Sequence, residues 1–273
     1  MKKQLILSAI AAVALGAPAA SMAESLDFNY KVDRFADIEV LRYKVPDFEQ
    51  LTTQQKELVY YLTEAALYGR DILTDQNGKY NLAIRTTLEN IYKNYDGSKD
   101  DADYKGFVLY LKQVWFANGI HHHYSTDKFT PQFSQAFFET QVKKLSKKQL
   151  PLKKGQTVDA FLKEITPVIF DPTVMAKRVN QANGQDLILT SANNYYEGVT
   201  QAEVEQFYAA MKKTDNPEEP ISYGLNSRLV KRDGKLVEEV YKVVSTIRLL
   251  SRKSLKIFAR LWLLPKTTSR RPT

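Results

Sequence analysis

The sequence predicts an α+β fold that is predominantly α-helical, with one small β-hairpin near its end. Apolar residues recur at helical spacing through most of residues 52–211, and Thr-x-x-Gln or Thr-x-x-Glu capping boxes precede two of these stretches. An Asp-Gly pair between two apolar segments marks a hairpin turn. The composition, with 44% hydrophobic, 26% charged and 11% aromatic residues, is that of a globular protein with a sizeable core, and it excludes a wholly disordered chain.

The first half of the chain predicts an extended segment followed by three helices. Residues 28–45 have apolar positions scattered among charges, which favours extended structure. Thr52 with Gln55 predicts the start of the first helix, and Gly69 predicts its C-cap. Apolar residues at helical spacing mark two further helices. The second helix has Ile84, Leu88, Ile91 and Tyr95, and the third has Phe107, Tyr110, Leu111 and Val114.

The second half predicts three more helices and the hairpin. Thr130-Pro131 is a start signal for the fourth helix, because proline suits the first helical position. Thr157 opens the fifth helix, and Thr200 opens the sixth with a capping box. Asp233-Gly234 lies between apolar pairs and predicts the turn of a hairpin within residues 228–243.

The positive charge of the chain is concentrated at its two ends. The formal net charge is +8, of which residues 1–23 contribute +2 and residues 244–273 contribute +8, so that residues 24–243 carry −2. A nearly neutral body with a basic tail does not have the charge distribution of a nucleic-acid-binding domain. The sequence therefore predicts no nucleic-acid partner.

The first residues have the pattern of a cleavable signal peptide. Lys2-Lys3 is followed by an apolar run from Leu5 to Ala17, and Ser21-Met22-Ala23 offers a small-x-small cleavage site. A buried or membrane-anchoring helix is the alternative, but the apolar run is short and is interrupted by glycine and proline. We expect cleavage after Ala23, and a mature chain that is exported to the periplasm.

No catalytic motif stands in the sequence. The chain has no cysteine, which excludes disulfides, thiolate zinc sites, iron–sulfur clusters and a cysteine nucleophile. It contains no G-x-S-x-G, no P-loop and no HExxH. All three histidines form one triplet, His121–His123, and successive residues of a helix point about 100° apart, so they cannot converge on one ion. We expect a turn with partly exposed imidazoles there, with no metal bound.

Three stretches together resemble the dipeptidyl peptidase III family. Residues 64–70 are similar to an early helical segment of that family. Residues 114–131 contain Asn118-Gly119 and then Tyr124-Ser125-Thr126-Asp127-Lys128-Phe129-Thr130-Pro131, and they resemble the family's most specific stretch, N-G-…-Y-x-S-…-D-x-K-F-x-P. Residues 225–243 resemble its N-x-R-L hairpin, and the likeness extends over most of residues 27–243.

The resemblance implies a zinc exopeptidase that removes dipeptides from the N-terminus of short peptides. Members of the family have two lobes around a cleft, and the HExxGH zinc motif lies in the lobe that this sequence does not contain. The likeness covers only the N-terminal, non-zinc lobe, so we expect this chain to be inactive and to bind no zinc, although the full-length family uses zinc. The better-known members are cytosolic, so the predicted signal peptide is a departure from the family.

The resemblance offers three candidates for the substrate cleft: Asn118, Tyr124 and Lys128. The alternative is a well-packed loop that these residues fix by their own hydrogen bonds. Short peptides are the expected partners, and no catalytic or metal-ligating residue is predicted.

Residues 244–273 form a basic tail without a single acidic residue, although the chain has 31. Codons can be chosen so that the neighbouring reading frame from Val244 encodes an amphipathic helix like that expected in the family. We therefore favour a frameshift near Val243, which divides the chain into a signal peptide (1–23), a lobe (24–243) and a frameshift-derived tail (244–273). The alternative is a genuine basic amphipathic helix on an anionic membrane, which would make the protein a non-enzymatic peptide-binding or membrane-surface protein.

Overall fold

The computed structural model describes residues 28–213, 216–219 and 221–241 and has an α+β fold in which helices predominate, as predicted. The chain forms two compact units, with the boundary between Gln50 and Leu51, inside the segment predicted as one lobe. The predicted signal peptide, residues 1–23, and the whole of the predicted basic tail, residues 244–273, lie outside the described residues. No helix among the described residues is both long enough and apolar enough to cross a membrane.

The first unit contains an antiparallel pair of strands, β1 (Lys31–Phe35) and β2 (Ile38–Leu41). The turn between them places Ala36 at a positive φ of 48°. After β2, the Arg42 N–H donates to the Tyr30 carbonyl at 2.8 Å, and the Arg42 guanidinium lies 5.0 Å from the centre of the Phe28 ring. The extended segment predicted for residues 28–45 is thus a short hairpin.

The described part of the second unit contains six α-helices and a small sheet. The helices are α1 (Thr53–Asn77), α2 (Asn81–Asn94), α3 (Ala102–Ala117), α4 (Gln135–Lys144), α5 (Val158–Phe170) and α6 (Gln201–Lys212). The main hydrophobic core is formed by the buried faces of α2, α3, α4 and α5.

Aromatic rings fill the centre of this core. Phe107 of α3 is fully buried and meets Phe133 edge to face, with 5.7 Å between ring centres. Tyr95 and Tyr104 stack with 4.1 Å between ring centres. Such ring pairs stabilise the packing beyond the area they bury, so α3, which leads into the histidine triplet, is firmly held.

The sheet has three strands, β3 (Tyr196–Glu197), β4 (Ser227–Arg232) and β5 (Lys235–Val240). β4 pairs parallel with β3 and antiparallel with β5, and the hairpin register sets Val230 opposite Val237. Its turn residues Asp233 and Gly234 have φ values of 49° and 76°, which suits the twist of a tight hairpin and confirms the turn prediction. α6 packs on the sheet through a second, smaller apolar cluster.

The predicted helix starts at Thr52, Thr157 and Thr200 are confirmed. Each side chain accepts the backbone N–H three residues later, and the capping boxes of Thr52 and Thr200 are both complete. The sequence predicts these helix starts because each capping residue and its partner are only three residues apart.

Two helix boundaries predicted from the sequence are wrong. Gly69 does not end α1, which continues to Asn77. Thr74 and Gln76, which follow the glycine, are buried, and their burial favours a helix that continues past it. Residues 130–131 precede α4 rather than starting it. Its N-cap is Ser134, whose hydroxyl accepts the Phe137 N–H at 3.1 Å and donates to Asp103 at 2.8 Å. Asp103 is distant in sequence, so the local signal could not reveal it.

Candidate functional site

The loop of residues 118–131 leaves α3 through a left-handed residue. Asn118 has φ 52° and ψ 44°, and the N–H of Gly119 donates back to the Val114 carbonyl at 3.1 Å. The Asn118 carbonyl accepts the side-chain amide of Asn77 at 3.1 Å. Asparagine tolerates this conformation better than most residues, so Asn118 is placed here as a helix cap.

Asn81, at the start of α2, holds the next residues of the loop. It is 1% exposed, and its Oδ1 accepts the Ile120 N–H at 3.3 Å. A Cβ added to Gly119 would lie 2.3 Å from Nδ2 of Asn81. Only glycine fits at position 119, because its φ of 154° and this close approach both disfavour a side chain.

His121 is a buried, neutral histidine. It is 2% exposed, and its Nε2 lies 2.7 Å from the carbonyl oxygen of Met175, so the ring proton is on Nε2. Nδ1 is buried and has no hydrogen-bond partner among the described residues. Burial lowers the pKa of His121 to about 4, and the positive charges of Lys128 and Arg178 act in the same direction. The expectation of a partly exposed imidazole is wrong for this residue, since the loop folds inward.

The other two histidines are half-buried, as predicted for a turn. Nδ1 of His122 accepts the N–H groups of Tyr124 and Ser125 at 3.2 and 3.1 Å. The His123 ring meets Phe116 edge to face at 5.0 Å between ring centres. His122 therefore fixes the backbone of the turn by its hydrogen bonds, and His123 packs against the end of α3.

The histidine triplet does not fit a zinc site. The Nε2 proton of His121 is directed at a carbonyl oxygen, and Nδ1 of His122 accepts two backbone N–H groups. Within the part of the chain that the structure describes, no three His, Asp or Glu side chains are grouped to hold a metal ion. Zinc ligation needs converging lone pairs, and these rings point to different partners.

Lys128 caps the C-terminal end of α5. Its Nζ donates to the carbonyl oxygens of Val168 at 3.1 Å and Val174 at 2.7 Å, and also to that of Asp171. An ammonium group has three donors, so all of them are used within the protein. Burial lowers the pKa of Lys128, but the charge is well placed at the negative end of a helix dipole.

Replacing Lys128 with methionine is therefore expected to destabilise the protein. The change keeps the aliphatic stem and leaves three carbonyl oxygens without their donor, which should lower the free energy of unfolding by about 2 kcal/mol. Urea unfolding followed by circular dichroism measures this. The matched control is Lys148→Met at an exposed lysine, which should change stability little. Equal effects of the two changes would contradict the capping role.

Tyr124 is the candidate whose side chain faces solvent. It is 84% exposed, and its ring lies 4.3 Å from that of His123. Asn118 and Lys128, by contrast, contribute backbone and side-chain bonds to packing. The structure thus places all three on one loop but directs them to different partners.

A cavity of about 310 Å³ lies beside this loop. It is lined by Phe129, Pro131, Phe170 and Pro172, and by the ion pair of Asp127 with Lys177. The apolar walls could take a small hydrophobic side chain. Lys128 also lines it, with its ammonium turned to α5.

The C-terminal turn of α1 holds the loop in place, and sequence reasoning missed its role. Asn77 binds the end of α3, and Arg178 donates to Asn77 Oδ1 at 3.4 Å and to the His123 carbonyl at 3.1 Å. Asn77-Gly78 is recognisable in the sequence as a turn. Nothing local indicates that its partners lie 41 and 101 residues away.

The same turn also binds the sheet. Asp75 accepts the hydroxyl of Tyr241 at 2.8 Å and the amide of Asn194 at 3.2 Å, while Gln76 donates to the Leu225 carbonyl at 3.0 Å. Burial raises the pKa of Asp75, and both burial and this carboxylate raise that of Tyr241. Arg228 completes the network by donating to Asn194 at 3.2 Å.

No family model matches the chain, and no curated protein is significantly similar to it.

Proposed function

We propose that residues 24–243 are the non-zinc lobe of an exported zinc dipeptidyl peptidase, and that this chain alone has no peptidase activity. The lobe would help to bind and orient short peptides, while the zinc motif belongs to a partner lobe that the sequence does not contain. The proposal rests on the resemblance of three stretches to the dipeptidyl peptidase III family.

The observation that best supports it is that the middle and last stretches both bond to the C-terminal turn of α1, the helix that contains the first stretch. The first stretch lies in α1, whose C-terminal turn carries Asp75, Gln76 and Asn77. Asn77 binds residues 117 and 118 of the middle stretch, and Gln76 and Asp75 bind residues 225 and 241 of the last. Segments that carry a family likeness and also pack together are what one inherited lobe would contain.

The purified chain is expected not to hydrolyse a dipeptidyl-arylamide, with or without added zinc. The reason is chemical: without HExxGH, no side-chain set holds the metal and no glutamate activates a metal-bound water. Release of the arylamine, followed by absorbance, is the measurement. Hydrolysis that a chelator abolishes would refute the claim that the chain is inactive.

The nucleotide sequence downstream of the Val243 codon tests the rest of the proposal. We expect an open neighbouring frame that encodes a helix and, further on, HExxGH. If that frame is closed, the basic tail is genuine and the peptidase assignment fails. Peptide binding in a calorimeter, or binding of the tail peptide to anionic vesicles, would then favour the non-enzymatic alternative.

A further inference from the structure

The chain contains three Asn-Gly pairs, at residues 77–78, 118–119 and 183–184. In such a pair the glycine nitrogen can attack Cγ of the asparagine side chain. Ammonia leaves, a five-membered succinimide forms, and water then opens the ring to aspartate or to isoaspartate. Glycine favours the attack because it has no Cβ to hinder the approach and it leaves the backbone free to turn.

The first pair is held in the end of α1. The N–H of Gly78 donates to the Asp75 carbonyl at 3.2 Å, and Gly78 is buried. The Asn77 amide donates to the Asn118 carbonyl at 3.1 Å and accepts from Arg178. Both the attacking nitrogen and the group it would attack are therefore fixed by other bonds.

The second pair is held in the end of α3. The N–H of Gly119 donates to the Val114 carbonyl at 3.1 Å, and Gly119 is buried against Asn81. Asn118 is fixed in the left-handed region, with φ 52°. Ring closure would break the helix cap and move the buried Asn81 side chain.

The third pair lies at the tip of a surface loop. Asn183 and Gly184 are both exposed, and nothing lies within 4 Å of a Cβ added to Gly184. The loop is closed below the tip, where Asn180 bonds Ser191 and Thr190 at 2.8 and 3.1 Å. At the tip, the Gln185 N–H donates to the Ala182 carbonyl at 3.3 Å, and the Ala182 N–H donates to Asn180 Oδ1 at 3.2 Å. Among the described residues, neither the Asn183 amide nor the Gly184 N–H has a hydrogen-bond partner.

We propose that Asn183 is a site of spontaneous deamidation, and that in the folded protein it reacts far faster than Asn77 and Asn118. The product has a new carboxylate at position 183, and the isoaspartate form also has one extra methylene in the backbone. The change falls near Asp186, which accepts the N–H of Gln201 at the start of α6 at 3.0 Å. The modified chain gains one negative charge at this end of the loop and should separate as an acidic species on ion exchange.

The test is peptide mapping of the full chain after incubation at mildly alkaline pH. In the folded protein, conversion at Asn183 should exceed that at Asn77 and Asn118 by roughly ten-fold or more, because the latter two must wait for local opening. In concentrated urea the three rates should become similar, since glycine follows each asparagine. Asn183→Gln should remove the acidic species from the ion-exchange profile.

Conversion at Asn77 or Asn118 as fast as at Asn183 in the folded protein would overturn the proposal. So would an Asn183 that stays intact while it converts in urea. The result is independent of the proposed peptidase role, because it depends on the loop alone.

Discussion

Gly106→Ala is expected to lower the free energy of unfolding by about 3 kcal/mol, although alanine is normally the better helix former. Gly106 lies inside α3 and is buried. A Cβ at this position would lie 1.8 Å from the backbone carbonyl oxygen of Gln132. That oxygen belongs to the backbone and cannot rotate away like a side chain, so α3 and the segment before α4 would have to separate.

The matched control is Gly69→Ala, the same substitution inside α1. Nothing lies within 4 Å of a Cβ at Gly69, so helix propensity alone should act and stability should rise by about 0.5–1 kcal/mol. Urea unfolding of both variants and the parent, followed by circular dichroism, gives the two values. Opposite signs are the expected result. A stabilised Gly106→Ala variant would show that α3 does not pack against residue 132 in this way.

Lowering the pH from about 7 to about 4.5 is expected to remove about 2.5 kcal/mol of stability through His121 alone. Its folded pKa of about 4 lies below the usual 6.5, so the unfolded chain binds the proton more tightly. The contribution of neutral His121 is complete above about pH 6.5 and is lost as the pH falls toward 4. Protonation would bury an N–H at Nδ1 without an acceptor, close to the charges of Lys128 and Arg178.

The variant His121→Gln isolates this contribution from that of the carboxylates. A glutamine amide can still donate to the Met175 carbonyl but does not titrate. Stability measured in urea at both pH values should fall less in the variant than in the parent, and the difference should be about 2.5 kcal/mol. The same pH dependence in both proteins would mean that His121 is not the group that titrates.

Short-range signals predicted much of the fold. The caps at Thr52, Thr157 and Thr200 and the turn at Asp233-Gly234 depend on residues within a few positions of one another, and each is confirmed. Gly69 and Thr130-Pro131 carry similar local signals, but the helix boundaries that these signals predict are wrong. What decides those boundaries is burial beyond Gly69, and the bond from Ser134 to Asp103.

The site was less predictable than the fold. A resemblance drew attention to the loop of residues 118–131, but the roles of its side chains depend on distant partners. Lys128 meets carbonyl groups 40 to 46 residues away, and Asn77 and Arg178 meet across 101 residues. Neither spacing nor composition contains that information, because it depends on which distant segments the fold brings together.

The bond between Asp75 and Tyr241 has a consequence for the order in which the chain folds. Its two residues are 166 positions apart, and Tyr241 is the last residue described. Helices α2 to α5 share a core that is complete by residue 170, so they can assemble while later segments are still being synthesised. The Asp75 carboxylate at the end of α1, however, lacks its Tyr241 partner until the residue that follows β5 has been synthesised. Among the bonds described at the end of α1, this one therefore forms after the others, because it joins residues that are far apart in the sequence.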